Sequence, residues 1–224
     1  MSIVTNTFTT YSAIGIREQL SNIIYNIAPT QTPFMTMCRK GKATNTKFEW
    51  QKDTLDAAAN NAQLEGDDIS SFAAVTPTTR TNNETQISYK TIVLSGTEQA
   101  VTKAGRKDEI AYQVMLKGKA LKRDMETALT QNTTAVTGST TVARQTRGLE
   151  GWVGGTNAVL GTSGVAANGY TNTAPTDGTQ AAFTESMLKS GCQLAFTAGG
   201  NPDILMVGAT QKQTVSTFTG NATR

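Results

Sequence analysis

Residues 105–131 impose the first constraint on what this chain can become. Ile110, Val114, Leu121, Met125 and Leu129 recur at spacings of four and seven, so they lie on one face of a helix. Gly118 extends that stripe, where a close approach of another element would need a small residue. Asp108 and Glu109 stand in the first turn, where the helix dipole favours negative charge. Lys117, Lys119, Lys122 and Arg123 crowd the other side. About 27 residues at ~1.5 Å each give a helix of about 40 Å. The whole chain has 224 residues, of which 38% are hydrophobic and 17% charged. That is enough for one sizeable core or two small ones, and a helix of this length has to be covered by something.

The flanking segments share the same shortage of cover. Residues 1–11 are polar and read as an extended arm. Ile16, Leu20, Ile23, Ile24 and Ile27 define an amphipathic helix over 12–28, with Ser12 as N-cap and Pro29 as its end. Pro29–Met35 should be extended, because a residue before proline is pushed out of the helical region. Residues 44–51 alternate, with Thr46, Phe48 and Trp50 on one side, as in a half-buried strand. A second strand is expected over 85–95, with Ile87, Tyr89, Thr91 and Val93 on one side. The long Ala-, Asn-, Asp- and Thr-rich stretch between them fits the tip of a projecting hairpin better than a loop inside a domain.

Beyond residue 131 the character changes. In residues 132–180 the charged residues are Arg144, Arg147, Glu150 and Asp177, and loops are expected, with a short ordered element at Arg144–Val153 around Leu149 and Trp152. Residues 184–197 predict a helix capped by Thr184, followed by a turn at Gly199-Gly200-Asn201-Pro202. A short strand at Ile204–Val207 and a helix at Thr210–Phe218 follow. This helix–strand–helix order is the start of an α/β lobe with no closing strand before Arg224, so the stretch reads as part of something longer.

Composition removes several chemistries. There is no histidine, hence no Ser-His-Asp triad, Cys-His dyad or His-ligated metal. Cys38 and Cys192 are too far apart in sequence for a CxxC motif; one disulfide is compatible, and two free buried thiols in a reducing compartment fit better. No run of about 18 apolar residues would cross a membrane, and the N-terminus lacks the pattern of a signal peptide. A net charge of +3 is too small to argue for sequence-specific nucleic-acid binding. The acids Glu65, Asp67 and Asp68 lack the spacing of an EF-hand and read first as a solvated hairpin tip. The basic set on the long helix is either its wet face or a contact for an acidic partner or nucleic acid. The glycines between 154 and 169 form no phosphate-binding motif. No cofactor or catalytic site is expected. An arm, a projecting hairpin and a long helix all expose more surface than one copy covers, which points to an assembly.

Several runs, in order, resemble a family of tailed-phage major capsid proteins. They are Arg17–Met35, containing Ile27-Ala28-Pro29-Thr30-Gln31-Thr32-Pro33-Phe34; Lys40-Gly41-Lys42-Ala43 with Glu49-Trp50-Gln51; Asn61–Asp68; Ala104–Gln113; and Lys122-Arg123-Asp124-Met125-Glu126. The resemblance covers most of residues 12–150. It implies an α+β fold of the Hong Kong 97 capsid type. The parts would be an N-terminal arm (1–35), an extended hairpin or E-loop (36–97), a P-domain with a spine helix (98–150) and a partial A-domain (151–224).

The implied function is a structural one, a virion protein that forms an icosahedral shell around double-stranded DNA, without catalysis. Its partners would be further copies in hexamers and pentamers, together with portal, scaffolding or decoration proteins. DNA contact would be non-specific, no membrane is involved, and assembly takes place in the host cytoplasm. Contacts between subunits are expected at Ile16, Leu20, Ile23 and Ile24 of the arm and at Phe48, Trp50, Ile87 and Tyr89 of the hairpin. Candidate charged contacts are Lys117, Lys119, Lys122 and Arg123. A Thr-rich extracellular surface or adhesin protein is the alternative that composition allows.

Overall fold

The structure is a computed structural model that describes residues 31–68 and 72–219, together with positions 7, 11, 13, 14 and 24. The arm helix, with Ile16, Leu20 and Ile23, lies outside the described residues. Helices and a two-stranded sheet make a mixed α and β chain. It divides into two compact units, residues 1–31 with 89–123, and residues 32–88 with 124–224.

The first unit is organised by hydrogen bonds around the start of the long helix. A short helix α2 (Gly96–Ala100) is capped by Ser95, whose hydroxyl accepts from the Glu98 N–H at 3.1 Å. Helix α3 (Glu109–Thr130) begins four residues later than the apolar pattern alone suggests. Gly105 has φ +80°, which breaks the helical path. Asp108 then caps α3 by accepting from the Ala111 N–H at 3.1 Å. Gln99 of α2 donates to the same carboxylate at 2.9 Å and so ties the two helices.

The second unit is built on a hairpin. Strand β1 (Lys47–Lys52) pairs antiparallel with β2 (Thr79–Glu84), placing Phe48 opposite Asn83 and Trp50 opposite Thr81. The second strand is therefore not 85–95, and Ile87 and Tyr89 lie beyond the end of β2. Among the described residues the alternation at 85–95 has no ladder to join, whereas the polar β2 hydrogen-bonds to the rest of the unit through Asn83. Residues 53–78 connect the strands without regular structure among those described, as expected of a long hairpin tip.

Other corrections are local. Pro33–Met37 forms a short helix α1 where extended chain is expected. Proline suits the first helical turn, and the Glu126 carboxylate accepts from the Phe34 and Met35 N–H groups at 2.8 and 2.7 Å. Helix α4 (Glu185–Thr197) is capped by Thr184, as its sequence predicts, and α5 (Ala209–Ser216) follows. Ile204–Val207 is not a strand, since no neighbour supplies a ladder among the described residues. Cys38 and Cys192 are free thiols, but both are exposed rather than buried.

Residues 131–178 form close-packed loops joined by isolated bridges such as Val136 to Gln145 and Gly154 to Ala167. Gly154 is required there, because a Cβ would stand 2.0 Å from the Ala167 carbonyl oxygen. The interior is polar to an unusual degree. Among the described residues the buried hydrophobics are Ala135 and Ala167, while Thr81, Asn83, Glu84, Glu109 and Arg147 are also buried.

Candidate assembly surface

The centre of the second unit is Arg147, which is 4% exposed. Its Nε and Nη2 donate to the Asn172 Oδ1 at 3.1 and 2.6 Å, and its Nη1 donates to the Gly169 carbonyl. Among the described residues no carboxylate pairs with it, and burial pulls its pKa below the usual arginine value. The Arg147 backbone N–H donates to the Asn83 Oδ1 at 2.9 Å, and the Asn83 amide returns a bond to the Arg147 carbonyl at 3.4 Å. Asn172, with φ +56°, pairs both its amide atoms with the backbone of Ala135, at 2.8 and 2.7 Å. Arg147 therefore fastens β2 to the 131–178 loops.

Aromatic rings carry this buried cation out to the surface. The guanidinium lies 4.2 Å from the Trp152 ring centre, a cation–π contact. Trp152 packs on Trp50 with centroids 5.2 Å apart, and Trp50 stacks with Phe48 at 5.9 Å. Phe48 and Trp50 remain 39% and 42% exposed. Lys52 continues the same strand face, and its Nζ hydrogen-bonds the Tyr170 hydroxyl. On the other hairpin face Glu49 pairs with Lys47 at 3.2 Å and with Arg80; the Arg80 hydrogen bond, then the Lys47 one, lowers the Glu49 pKa.

The expected contact residues fare unevenly. Phe48 and Trp50 come together, while Ile87, Tyr89 and Ile24 are exposed. On α3, Lys122 and Arg123 are exposed, and Lys117 and Lys119 half-buried. The apolar stripe on α3 is open at Ile110, Val114 and Met125. Glu65, Asp67 and Asp68 are exposed, and no group of metal-ligating side chains is found among the described residues. Among the same residues no helix is long and apolar enough to cross a membrane. The Arg147–Asn83–Asn172 network escapes hydrophobic periodicity altogether. Its one sequence signal is an arginine close to Trp152 in a stretch nearly free of charge.

At the start of α3, Glu109 is 4% exposed and receives Gln113 at 2.8 Å, Arg106, and Lys103 at 3.7 Å. The Gln113 bond, followed by Arg106, holds its carboxyl below the usual range. Asp108 is held low by the bond from Gln99 and then by that from the Ala111 N–H. These bonds order the start of the helix.

The major capsid protein of Escherichia phage Phieco32 is 36% identical over 123 residues, which is 54% of this chain. The aligned part is 35% of that relative, so the chain spans about a third of its length. The family model described as SU10 major capsid protein matches residues 3–224. The chain belongs to the SU10 major capsid protein family.

Proposed function

We propose that this chain builds the head of a tailed phage, associating with further copies into an icosahedral shell that encloses double-stranded DNA. The observation that carries the reading is the surface left open. Among the described residues large hydrophobic side chains stand open at Leu55, Leu64, Phe72, Val75, Ile110, Val114 and Met125. Exposed apolar side chains on α3 and along residues 53–78 are the kind of surface that neighbours cover. Family membership favours this reading over the Thr-rich surface protein.

In this reading the arm is 1–35, the E-loop 36–97, the P-domain 98–150 and the A-domain 151–224 of a Hong Kong 97-type subunit. Phe48, Trp50, Ile87 and Tyr89 touch one neighbour, and the arm residues Ile16, Leu20, Ile23 and Ile24 another. Lys117, Lys119, Lys122 and Arg123 supply charged contacts. Copies form hexamers and pentamers, meet portal, scaffolding or decoration proteins, and touch DNA non-specifically, with assembly in the host cytoplasm. Many weak contacts made at once give the shell its strength, and no catalysis is required. The test is mass spectrometry of purified virions. Peptides of this chain should come from the most abundant virion protein, and their absence from the particles would refute the proposal.

A further inference from the structure

Asn168 and Gly169 form the one Asn-Gly pair in the sequence, and the asparagine side chain folds back over the peptide that follows it. The Asn168 Oδ1 accepts from the Tyr170 N–H at 3.0 Å and from the Thr171 N–H at 3.3 Å. An asparagine that bonds the backbone two residues on closes a tight turn around the intervening amide, here that of Gly169. Asn168 and Thr173 exchange both their backbone bonds, at 3.0 and 3.1 Å, which fixes the base of the turn. Among the described residues the Gly169 N–H has no acceptor. Asn168 is exposed, so water reaches it, and Gly169 carries no side chain to shield its nitrogen.

We infer that Asn168 is a self-modifying site that converts to aspartate and isoaspartate without an enzyme. Solvent base takes the Gly169 amide proton, and the nitrogen attacks the Asn168 Cγ. Negative charge develops on Oδ1, where the Tyr170 and Thr171 N–H groups already donate, as in an oxyanion hole. The Cγ–Nδ2 bond breaks, and Nδ2 leaves as ammonia, taking a proton from water. Water then opens the cyclic imide at either carbonyl. Opening at Cγ gives aspartate. Opening at the main-chain carbonyl gives isoaspartate, whose main chain runs through Cγ and is longer by a methylene. In sum an amide and water become a carboxylic acid and ammonia. Both products bear on the Arg147 network. The Gly169 carbonyl accepts from the Arg147 Nη1, and a Cβ on Gly169 would stand 2.9 Å from the Trp152 ring. A lengthened main chain at residue 168 displaces that carbonyl. Aspartate leaves it in place and puts a first carboxylate into the lining of a groove of about 750 Å³ that Asn168 shares with Lys52 and Tyr170.

The test follows the full chain in mildly alkaline buffer by peptide mass spectrometry, with isoaspartate methyltransferase labelling. Asn168 should convert about tenfold faster than any other asparagine, and the rate should rise with hydroxide. The folded chain should convert at more than about a tenth of the rate of the same chain in urea, because the turn already holds the reacting groups together. A lower rate, or conversion led by another asparagine, overturns the site. No second copy takes part, so the result stands apart from the assembly reading. The isoaspartate form, separated by chromatography, is then compared with Asn168→Asp in urea unfolding read by tryptophan fluorescence. The isoaspartate chain should unfold at lower urea than Asn168→Asp. Equal midpoints would show that the turn does not hold Arg147 and would overturn the link to the network.

Discussion

Replacing Arg147 with alanine tests whether a hydrogen-bonded cation holds the second unit together. The guanidinium makes three bonds, two of them to one amide oxygen, and lies against Trp152. Bonds from a charged donor contribute about 1.5–3 kcal/mol each, and a desolvated cation–π contact about 2 kcal/mol. Against this stands the desolvation of a cation with no carboxylate beside it, which Arg147→Ala relieves. Loss of the stem also leaves a cavity and strips the Gly169 carbonyl of its partner. The balance is a destabilisation of about 3 kcal/mol, the size expected for breaking a buried charged network.

Urea unfolding followed by tryptophan fluorescence reads this directly. The chain has 2 tryptophans, and Trp50 and Trp152 both belong to the second unit. With a slope of about 2 kcal/mol per molar urea, the midpoint should fall by about 1.5 M. Arg147→Lys should lose nearly as much, because an ammonium cannot reproduce the fork to Asn172 and Gly169. Arg147→Met, which removes the charge and keeps most of the volume, should cost less than either. A midpoint within ~0.2 M of the unaltered chain for Arg147→Ala would show that the network does not bear on the fold.

Trp50→Ala removes one ring from the stack but leaves Arg147 and Trp152 in place, so it should cost only about 1–2 kcal/mol of stability while particle yield falls sharply; normal yield from a less stable subunit would place Trp50 wrongly. Gly118→Ala, at a helix position where a Cβ meets nothing within 4 Å, should stabilise the free chain by about 1 kcal/mol in thermal unfolding, and particle yield should drop if a neighbour approaches that face closely. Gly154→Ala should destabilise the second unit, measured as faster hydrogen exchange at Ala167 and its neighbours, because the new methyl group would overlap the Ala167 carbonyl. Asp108 and Glu109 have folded pKa values below their ordinary 3.8 and 4.5, so their stabilisation of the α3 start is complete above those values and is lost as pH falls through the lowered ones. The protection factors over 106–113, taken relative to the intrinsic exchange rate at each pH, should therefore fall in acid, and Glu109→Gln should reduce that fall.

How far the sequence revealed this depended on which force shaped each part. The long helix and α4 were legible because both follow a 3.6-residue apolar period, and for α4 a Thr cap adds a start signal. Strand β1 was legible from the alternation around Phe48 and Trp50. Its partner was not, because β2 reads Thr-Arg-Thr-Asn-Asn-Glu and is chosen by side-chain hydrogen bonds rather than apolar burial. Residues 85–95 and Ile204–Val207 have strand-like composition but no neighbouring strand among the described residues. Helix α1 was hidden because the acceptor for its first N–H groups, Glu126, is far away in sequence. Within the candidate surface, the aromatic pair of β1 was visible from the start. The arginine behind it was not, since no periodicity marks a buried cation.

An interior sealed mainly by hydrogen bonds has a thermal consequence. Heat capacity changes on unfolding track the apolar area that meets water. A subunit that buries little such area unfolds with a small heat-capacity change, and its stability varies gently with temperature. In the proposed assembly the apolar groups at Leu55, Leu64, Phe72, Val75, Ile110, Val114 and Met125 would lose their water when copies meet. On the proposed assembly, the large negative heat-capacity change would belong to association rather than folding. Contacts of that kind are driven by released water near room temperature and weaken on cooling, so shells of this subunit should grow when warmed and loosen in the cold.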